Sequence, residues 1–235
     1  MKVKNKNILI TGGANGIGLS LTKMLSKNNQ VFVLDLDTSV KRIKNTTFVQ
    51  CDISNNTEVA NAISKIRNFV KNIDILINNA AIQRVGEFTT CEFRDIINTN
   101  LCGTMQVTQE SLKVMPEHSN IINILSIHAY LPRKRKISYD VSKAGLLMFT
   151  KELALELADK QITVNAISIG ACDTPMNNDW INDENILKSV KSKIPLGKIE
   201  SAEAIAKYIL IILENFAENT TGSNFIIDQG RSITG

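Results

Sequence analysis

The chain has 235 residues, 43% of them hydrophobic and 21% charged, an ordinary soluble globular balance that one hydrophobic core can support. Its net charge of +4 equals the run Arg133, Lys134, Arg135 and Lys136, which excludes a global basic field for nucleic acid. Four widely spaced cysteines (Cys51, Cys91, Cys102, Cys172), no C-x-x-C pair and only two histidines, His118 and His128, argue against a disulfide framework or any metal site. The apolar run Ile8–Ile10 is too short for the core of a signal peptide. No segment approaches the roughly 20 apolar residues of a membrane span, so a reduced, cytoplasmic compartment is expected.

In chain order, short β-rich runs alternate with helical patterns. Strands are predicted at 7–11, 31–36, 47–51, 74–78, 120–125, 163–168 and 224–227. Helices are predicted at about 16–28, 55–71, 92–114, 137–159 and 201–214. Most strands are continuously apolar, as they must be when helices cover both faces of a parallel sheet. The alternation predicts a doubly wound α/β sheet in a single domain spanning 1–235. The one long irregular stretch, about 170–198, follows a strand end and is expected to act as a substrate lid.

The first predicted strand runs into Gly12, Gly13, Ala14, Asn15, Gly16, Ile17 and Gly18, and then a helix. Glycines let backbone approach a ligand, and a helix start offers N–H groups to a pyrophosphate. Asp35, closing the second strand 17 residues after Gly18, can accept from the adenosine ribose hydroxyls. Its charge would repel a 2′-phosphate, so NAD is expected over NADP. Asp37 competes for that role from the same side, and Lys41 and Arg42 leave some use of NADP open.

Tyr139 and Lys143 stand four apart on a predicted helix, hence on one face. A free phenol titrates near 10, and a neighbouring ammonium is expected to lower that value far enough for proton transfer. Ser126, at the end of the preceding strand, is placed to hydrogen-bond the reacting oxygen.

Thr11-Gly12-x-x-x-Gly16-x-Gly18, Asn78-Asn79-Ala80, Ser126 and Tyr139-x-x-x-Lys143 together resemble the short-chain dehydrogenases over essentially the whole chain. The resemblance implies a Rossmann-type domain in which Tyr139 is the general acid/base. Lys143 tunes it and holds the nicotinamide ribose, and Ser126 positions the substrate oxygen. It further implies that Asn100 anchors a water in the proton relay, and that Asp52, with Ile53 beside it, contacts adenine. Asn78 would steady the strand under the cofactor, Ala80 would belong to the cofactor-binding set, and Thr174 would meet the carboxamide. Two departures stand out: Ala81 replaces the family's glycine after Asn-Asn-Ala, and Ile169-Gly170 replaces Pro-Gly.

Substrate contacts are expected from Gln83, Arg84, His128, Tyr130, the 133–136 run and Trp180 in the lid, which suggests a small hydroxy acid. Two subfamily similarities compete. Gln83, Arg84, Gly86, Pro132-Arg133 and Ile194–Lys198 resemble 2,3-dihydro-2,3-dihydroxybenzoate dehydrogenases. Gln83, His128 and Lys136 resemble 3-hydroxybutyrate dehydrogenases. Sugar-acid or polyol dehydrogenases share parts of the first set, and a non-catalytic NAD-binding regulator is the alternative of another class. A homotetramer is expected, from the resemblance and from apolar positions such as Met105, Leu112, Leu147 and Leu155 on the two long helices.

Overall fold

The computed structural model describes residues 3–90 and 93–234. The predicted helix start at 92, and Cys91, lie outside them. In chain order the elements are β1 (Asn7–Thr11), α1 (Gly16–Leu25), β2 (Gln30–Asp35), β3 (Thr46–Gln50), α2 (Asn56–Arg67), β4 (Ile75–Asn78) and α3 (Phe93–Ile97). A π-helical turn (Asn98–Gly103) leads into α4 (Thr104–Leu112), β5 (Asn120–Ser126) and α5 (Ile137–Glu156). Then come β6 (Thr163–Ile169), β7 (Cys172–Asp173), α6 (Asn178–Ile181), α7 (Glu184–Lys191), β8 (Glu200–Ser201), α8 (Ala202–Asn215) and β9 (Asn224–Ile227).

Seven strands form one sheet in the order β3-β2-β1-β4-β5-β6-β9, and every pairing is parallel. Alternate strand residues feed two cores. Leu9, Phe32, Leu34 and Leu76 pack under Val59, Ile63, Val107 and Leu153 of α2, α4 and α5. Ile8, Ile10, Val31 and Val33 pack under Leu21, Leu25, Ile205 and Ile209 of α1 and α8. This two-sided burial is why the strands read as unbroken apolar runs. Among the described residues no helix is long and apolar enough to cross a membrane.

Strand order reverses between β1 and β4, where the crevice of such sheets opens. Thr11 Oγ1 ties the two strand ends together there, accepting from the N–H groups of Asn79 (3.0 Å) and Ala80 (3.1 Å).

Three expectations need correction. The helix expected over 92–114 is interrupted by a π-helical turn. The stretch 170–198 is not irregular: it carries β7, a 3-10 turn at Pro175–Asn177, α6 and α7. Asp37 does not share the strand of Asp35. β2 ends at Asp35, and the exposed Asp37 carboxylate turns back to accept from the N–H and hydroxyl of Ser39.

Candidate active site

A cavity of about 1070 Å³ lies along the carboxyl ends of the central strands and is closed on one side by the 170–198 segment. Gly12, Asn15, Gly16 and Ile17 line it where β1 passes into α1. Gly12 has φ +65°, and a Cβ there would sit 2.7 Å from the Cα of Ala80, so backbone is exposed where any side chain would collide. Gly18 does not line the cavity. A Cβ on it would meet the Gly12 carbonyl oxygen at 2.0 Å, so this glycine packs the helix against its own loop. Asn15 caps α1, its Oδ1 accepting from the N–H of Gly16 at 2.8 Å.

Asp35, Asp52, Ile53, Ala80 and Thr174 line the same cavity. The Asp35 carboxylate accepts from the N–H of Ala14 (2.8 Å) and of Asp37 (3.0 Å), so it also holds the glycine loop to the end of β2. Neither Lys41 nor Arg42 lines the cavity; both are exposed. Asn78 lies beneath the cavity, not in its wall. Its Nδ2 donates to Thr108 Oγ1 and Asn123 Oδ1, bracing β4 against α4 and β5.

Ser126, Tyr139 and Lys143 meet in the cavity wall. Ser126 ends β5, and its hydroxyl lies close enough to the phenol of Tyr139 to favour the phenolate. Lys143 is buried, 5.7 Å from the Tyr139 ring centroid, and its Nζ donates to the carbonyl of Ile124 at 2.9 Å. Burial pulls the Lys143 ammonium down to about 8. Burial also raises the phenol of Tyr139, and the cation that opposes this is Arg133, aided by the Ser126 hydroxyl. This corrects the expectation that Lys143 supplies the lowering. At the high pH where the raised phenol titrates, an ammonium that loses its proton near 8 is largely neutral, whereas a guanidinium stays ionised.

Asn100 does not line the cavity either. It sits fully buried in the π-helical turn, a distortion often found at functional sites. Its side chain accepts from the N–H of Ile82 at 2.8 Å and donates to the Ile82 carbonyl at 2.9 Å. It also donates to Ser142 Oγ, which donates in turn to the carbonyl of Tyr139 at 2.7 Å. The Asn100 carbonyl accepts from Thr104 Oγ1. Asn100 therefore joins the loop after β4 to the backbone that carries Tyr139.

Gln83, Arg84, His128, Arg133 and Trp180 all line the cavity. Gln83 donates to the carbonyl of Met176 and to Asn177 Oδ1, and Trp180 Nε1 donates to Asn177 Oδ1, so Asn177 anchors the 170–198 segment. The two arginines are paired: Arg84 with Asp95 at 3.4 Å, Arg133 with Asp140 at 2.7 Å. The basic run does not act as a unit. Lys134 and Arg135 line only an adjoining groove of about 690 Å³, whose wall also includes Arg133 and His128, and Lys136 lines neither. Tyr130 also misses the main cavity.

Sequence reasoning missed Arg231 and Lys193, which line the cavity from the 3-10 turn Arg231–Ile233 and from the chain just after α7. Asp228 builds that turn, its carboxylate accepting from the N–H groups of Gly230 and Ser232. A Cβ at Gly170 would lie 2.8 Å from the Cα of Asp228, so this glycine admits the C-terminal turn to the site. The only sequence signal for Arg231 was its place three residues after Asp228.

Residues 12–232 match the family model described as enoyl-(acyl carrier protein) reductase. The 3-oxoacyl-[acyl-carrier-protein] reductase FabG of Aquifex aeolicus is 31% identical over 247 residues, covering 98% of each chain. A short chain dehydrogenase family protein from Francisella tularensis superposes with a TM-score of 0.90 at 23% identity, over 97% of this chain and 99% of the other. The 3-ketoacyl-(acyl-carrier-protein) reductase from Brucella melitensis, solved with NADH, superposes at 0.89 with 26% identity and the same coverage.

Proposed function

The chain belongs to the short-chain dehydrogenase/reductase family, and we propose that it interconverts a secondary alcohol and a ketone on a small hydroxy acid, with NAD as cofactor. The observation that carries the reading is the meeting of the Ser126 and Tyr139 hydroxyls beside buried Lys143 in one cavity. That grouping speaks against a non-catalytic NAD-binding regulator, which has no use for it.

The walls suit a dinucleotide. The side-chain-free cradle at Gly12 and Gly16 and the start of α1 would take the pyrophosphate, and Asp35 the adenosine ribose hydroxyls. Asp52 and Ile53 would border the adenine, Thr174 the carboxamide, and Lys143 the second ribose. A nicotinamide held there would supply the hydride acceptor or donor. In alcohol oxidation the phenolate of Tyr139 takes the hydroxyl proton while Ser126 holds the same oxygen; in ketone reduction the phenol returns that proton. Asn100 and Asn78 act as positioning residues.

Arg133 and Arg231 support the acid: both line the cavity and both bear electrostatically on His128. The full-length similarity to 3-oxoacyl reductases favours a second reading, reduction of a 3-oxoacyl thioester. We further infer a homotetramer, because Val141, Met148 and Leu155 form an exposed apolar stripe along α5.

One panel tests these readings: hydroxy acids and neutral alcohols with NAD or NADP, and acetoacetyl-CoA with NADH or NADPH. Hydroxy acids with NAD should give the highest kcat/KM. Neutral alcohols ahead of acids would remove the acid, and acetoacetyl-CoA with NADPH ahead of all would replace it with the thioester. No turnover of any member would overturn the enzyme assignment for these substrate classes.

A further inference from the structure

His128 stands two residues beyond Ser126, whose Oγ accepts the His128 N–H at 3.2 Å. Its ring Nδ1 lies 2.7 Å from the carbonyl oxygen of Leu131. A carbonyl can only accept, so Nδ1 carries the proton. Burial, then the Arg133 cation, push the imidazole down to about 4. Arg231 adds to this, while Asp140 and the Leu131 carbonyl oppose it, and the ring is neutral at physiological pH.

A neutral imidazole protonated on Nδ1 has only a lone pair on Nε2. Among the described residues no donor reaches that atom, and it is not one of the buried polar atoms left unpaired. His128 lines the cavity together with Ser126 and Tyr139. Nε2 is thus an accessible acceptor on a residue that lines both the main cavity and the adjoining groove, its backbone tied to Ser126. It has no proton for a carboxylate, whose lone pairs would oppose its own. Any anionic group falls instead to Arg133 and Arg231, which carry only donors.

We propose that the substrate bears a second hydroxyl next to the reacting carbon, and that Nε2 of His128 accepts its hydrogen bond. The inference rests on the dehydrogenase reading above and narrows it to vicinal diols and polyhydroxy acids. A site built to pair with a hydroxyl rejects the analogue that lacks it, because the buried partner is left unsatisfied.

The test uses two pairs of alcohols that differ by one hydroxyl: 2,3-dihydroxybutyrate against 3-hydroxybutyrate, and cyclohexane-1,2-diol against cyclohexanol, each with NAD. In the native protein the dihydroxy member of at least one pair should have a kcat/KM higher by about tenfold or more. In His128→Phe that ratio should collapse towards one. In His128→Gln, whose carbonyl can accept, part of it should return. Quenching of Trp180 fluorescence by NADH checks that each variant still folds and binds cofactor.

The native ratio should stay flat between about pH 6 and pH 9, because the ring does not titrate there. Nitrogen-15 NMR of the ring, with His118 as the only other histidine, should show Nδ1 protonated and Nε2 bare. Equal use of both members in each pair, a ratio that survives in His128→Phe, or a proton on Nε2 at neutral pH would overturn the second-hydroxyl subsite and leave the dehydrogenase standing. Oxidation of none of the four alcohols would overturn the subsite, and the panel above then decides separately whether the dehydrogenase reading falls with it.

Discussion

The guanidinium of Arg133 lies 5.4 Å from the centroid of the Tyr139 ring, nearer than the ammonium of Lys143 at 5.7 Å. Asp140 fixes it there, accepting from Arg133 Nη2 at 2.7 Å and from its backbone N–H at 3.0 Å. The residue next to the candidate acid/base therefore holds the cation that acts on it.

The first prediction concerns the pH profile. Burial raises the Tyr139 phenol, and Arg133 offsets part of that rise. Alcohol oxidation needs the phenolate, so its rate should climb with pH through the Tyr139 titration. In Arg133→Met the offset is gone, the pKa rises further, and the climb should move to higher pH. Tyr139→Phe should lose at least about 10²-fold in kcat and keep cofactor binding. Profiles of kcat at saturating substrate separate this effect from loss of substrate affinity. An unmoved climb in Arg133→Met would confine Arg133 to binding.

Lys143 should carry a stability cost. Its ammonium titrates near 8 in the folded chain, against about 10.4 when unfolded. Between those values the unfolded chain binds more protons, so stability should rise with pH across that window. Below pH 8 the full cost, about 3 kcal/mol, is present. Lys143→Met should therefore melt higher than the native protein at pH 7, gaining about 1–2 kcal/mol after loss of the Ile124 hydrogen bond, while turnover collapses. Urea unfolding at pH 7 measures this, and a destabilised Lys143→Met would show that the buried ammonium is well compensated.

The fold was legible because strands buried on both faces must be apolar throughout, as Ile8–Ile10 and Val31–Leu34 are. The turn at Asn98–Gly103 was not, since a single π turn shifts the helix face too little for an apolar pattern to reveal it. The glycine loop, Ser126, Tyr139 and Lys143 were legible because they are local in sequence. The substrate wall was less so. Only Arg133 of the 133–136 run reaches the main cavity, because Asp140 pulls that one side chain inward. Arg231 arrives from almost 100 residues further along the chain, on a turn whose Asp228 packs against Gly170, and no local pattern marks it as a cavity residue.

Cofactor choice should follow Asp35. Its carboxylate lines the cavity with no Lys or Arg on the glycine loop beside it, so kcat/KM should be higher with NAD than with NADP. Asp35 also accepts from the N–H of Ala14, so Asp35→Ala should loosen the loop and weaken both cofactors while narrowing the gap between them. Asp35→Asn keeps an acceptor without the charge and should narrow the gap with less loss of NAD affinity. Titration of both reduced cofactors into the three proteins decides this. Native preference for NADP would mean that the repulsion from Asp35 is outweighed.

Assembly should depend on the outer face of α5. Val141, Met148 and Leu155 are 53%, 56% and 77% exposed and stand seven residues apart, so they form one stripe, with Met105 of α4 also exposed at 44%. Leu112 and Leu147, expected to share that role, are half-buried and contribute less. A stripe of this kind on a stable protein is normally covered, and a two-fold axis brings the same residues of two copies together. Each substitution then enters the interface twice. Met148→Glu would place two like charges in an apolar contact, where desolvating unpaired carboxylates is costly, and should weaken association by at least about 10²-fold. Light scattering at micromolar concentration should give about four times the 26.0 kDa chain mass for the native protein and a smaller species for Met148→Glu. A native mass near 26.0 kDa would refute the assembly. A tetramer unaffected by Met148→Glu would move the contact to another face.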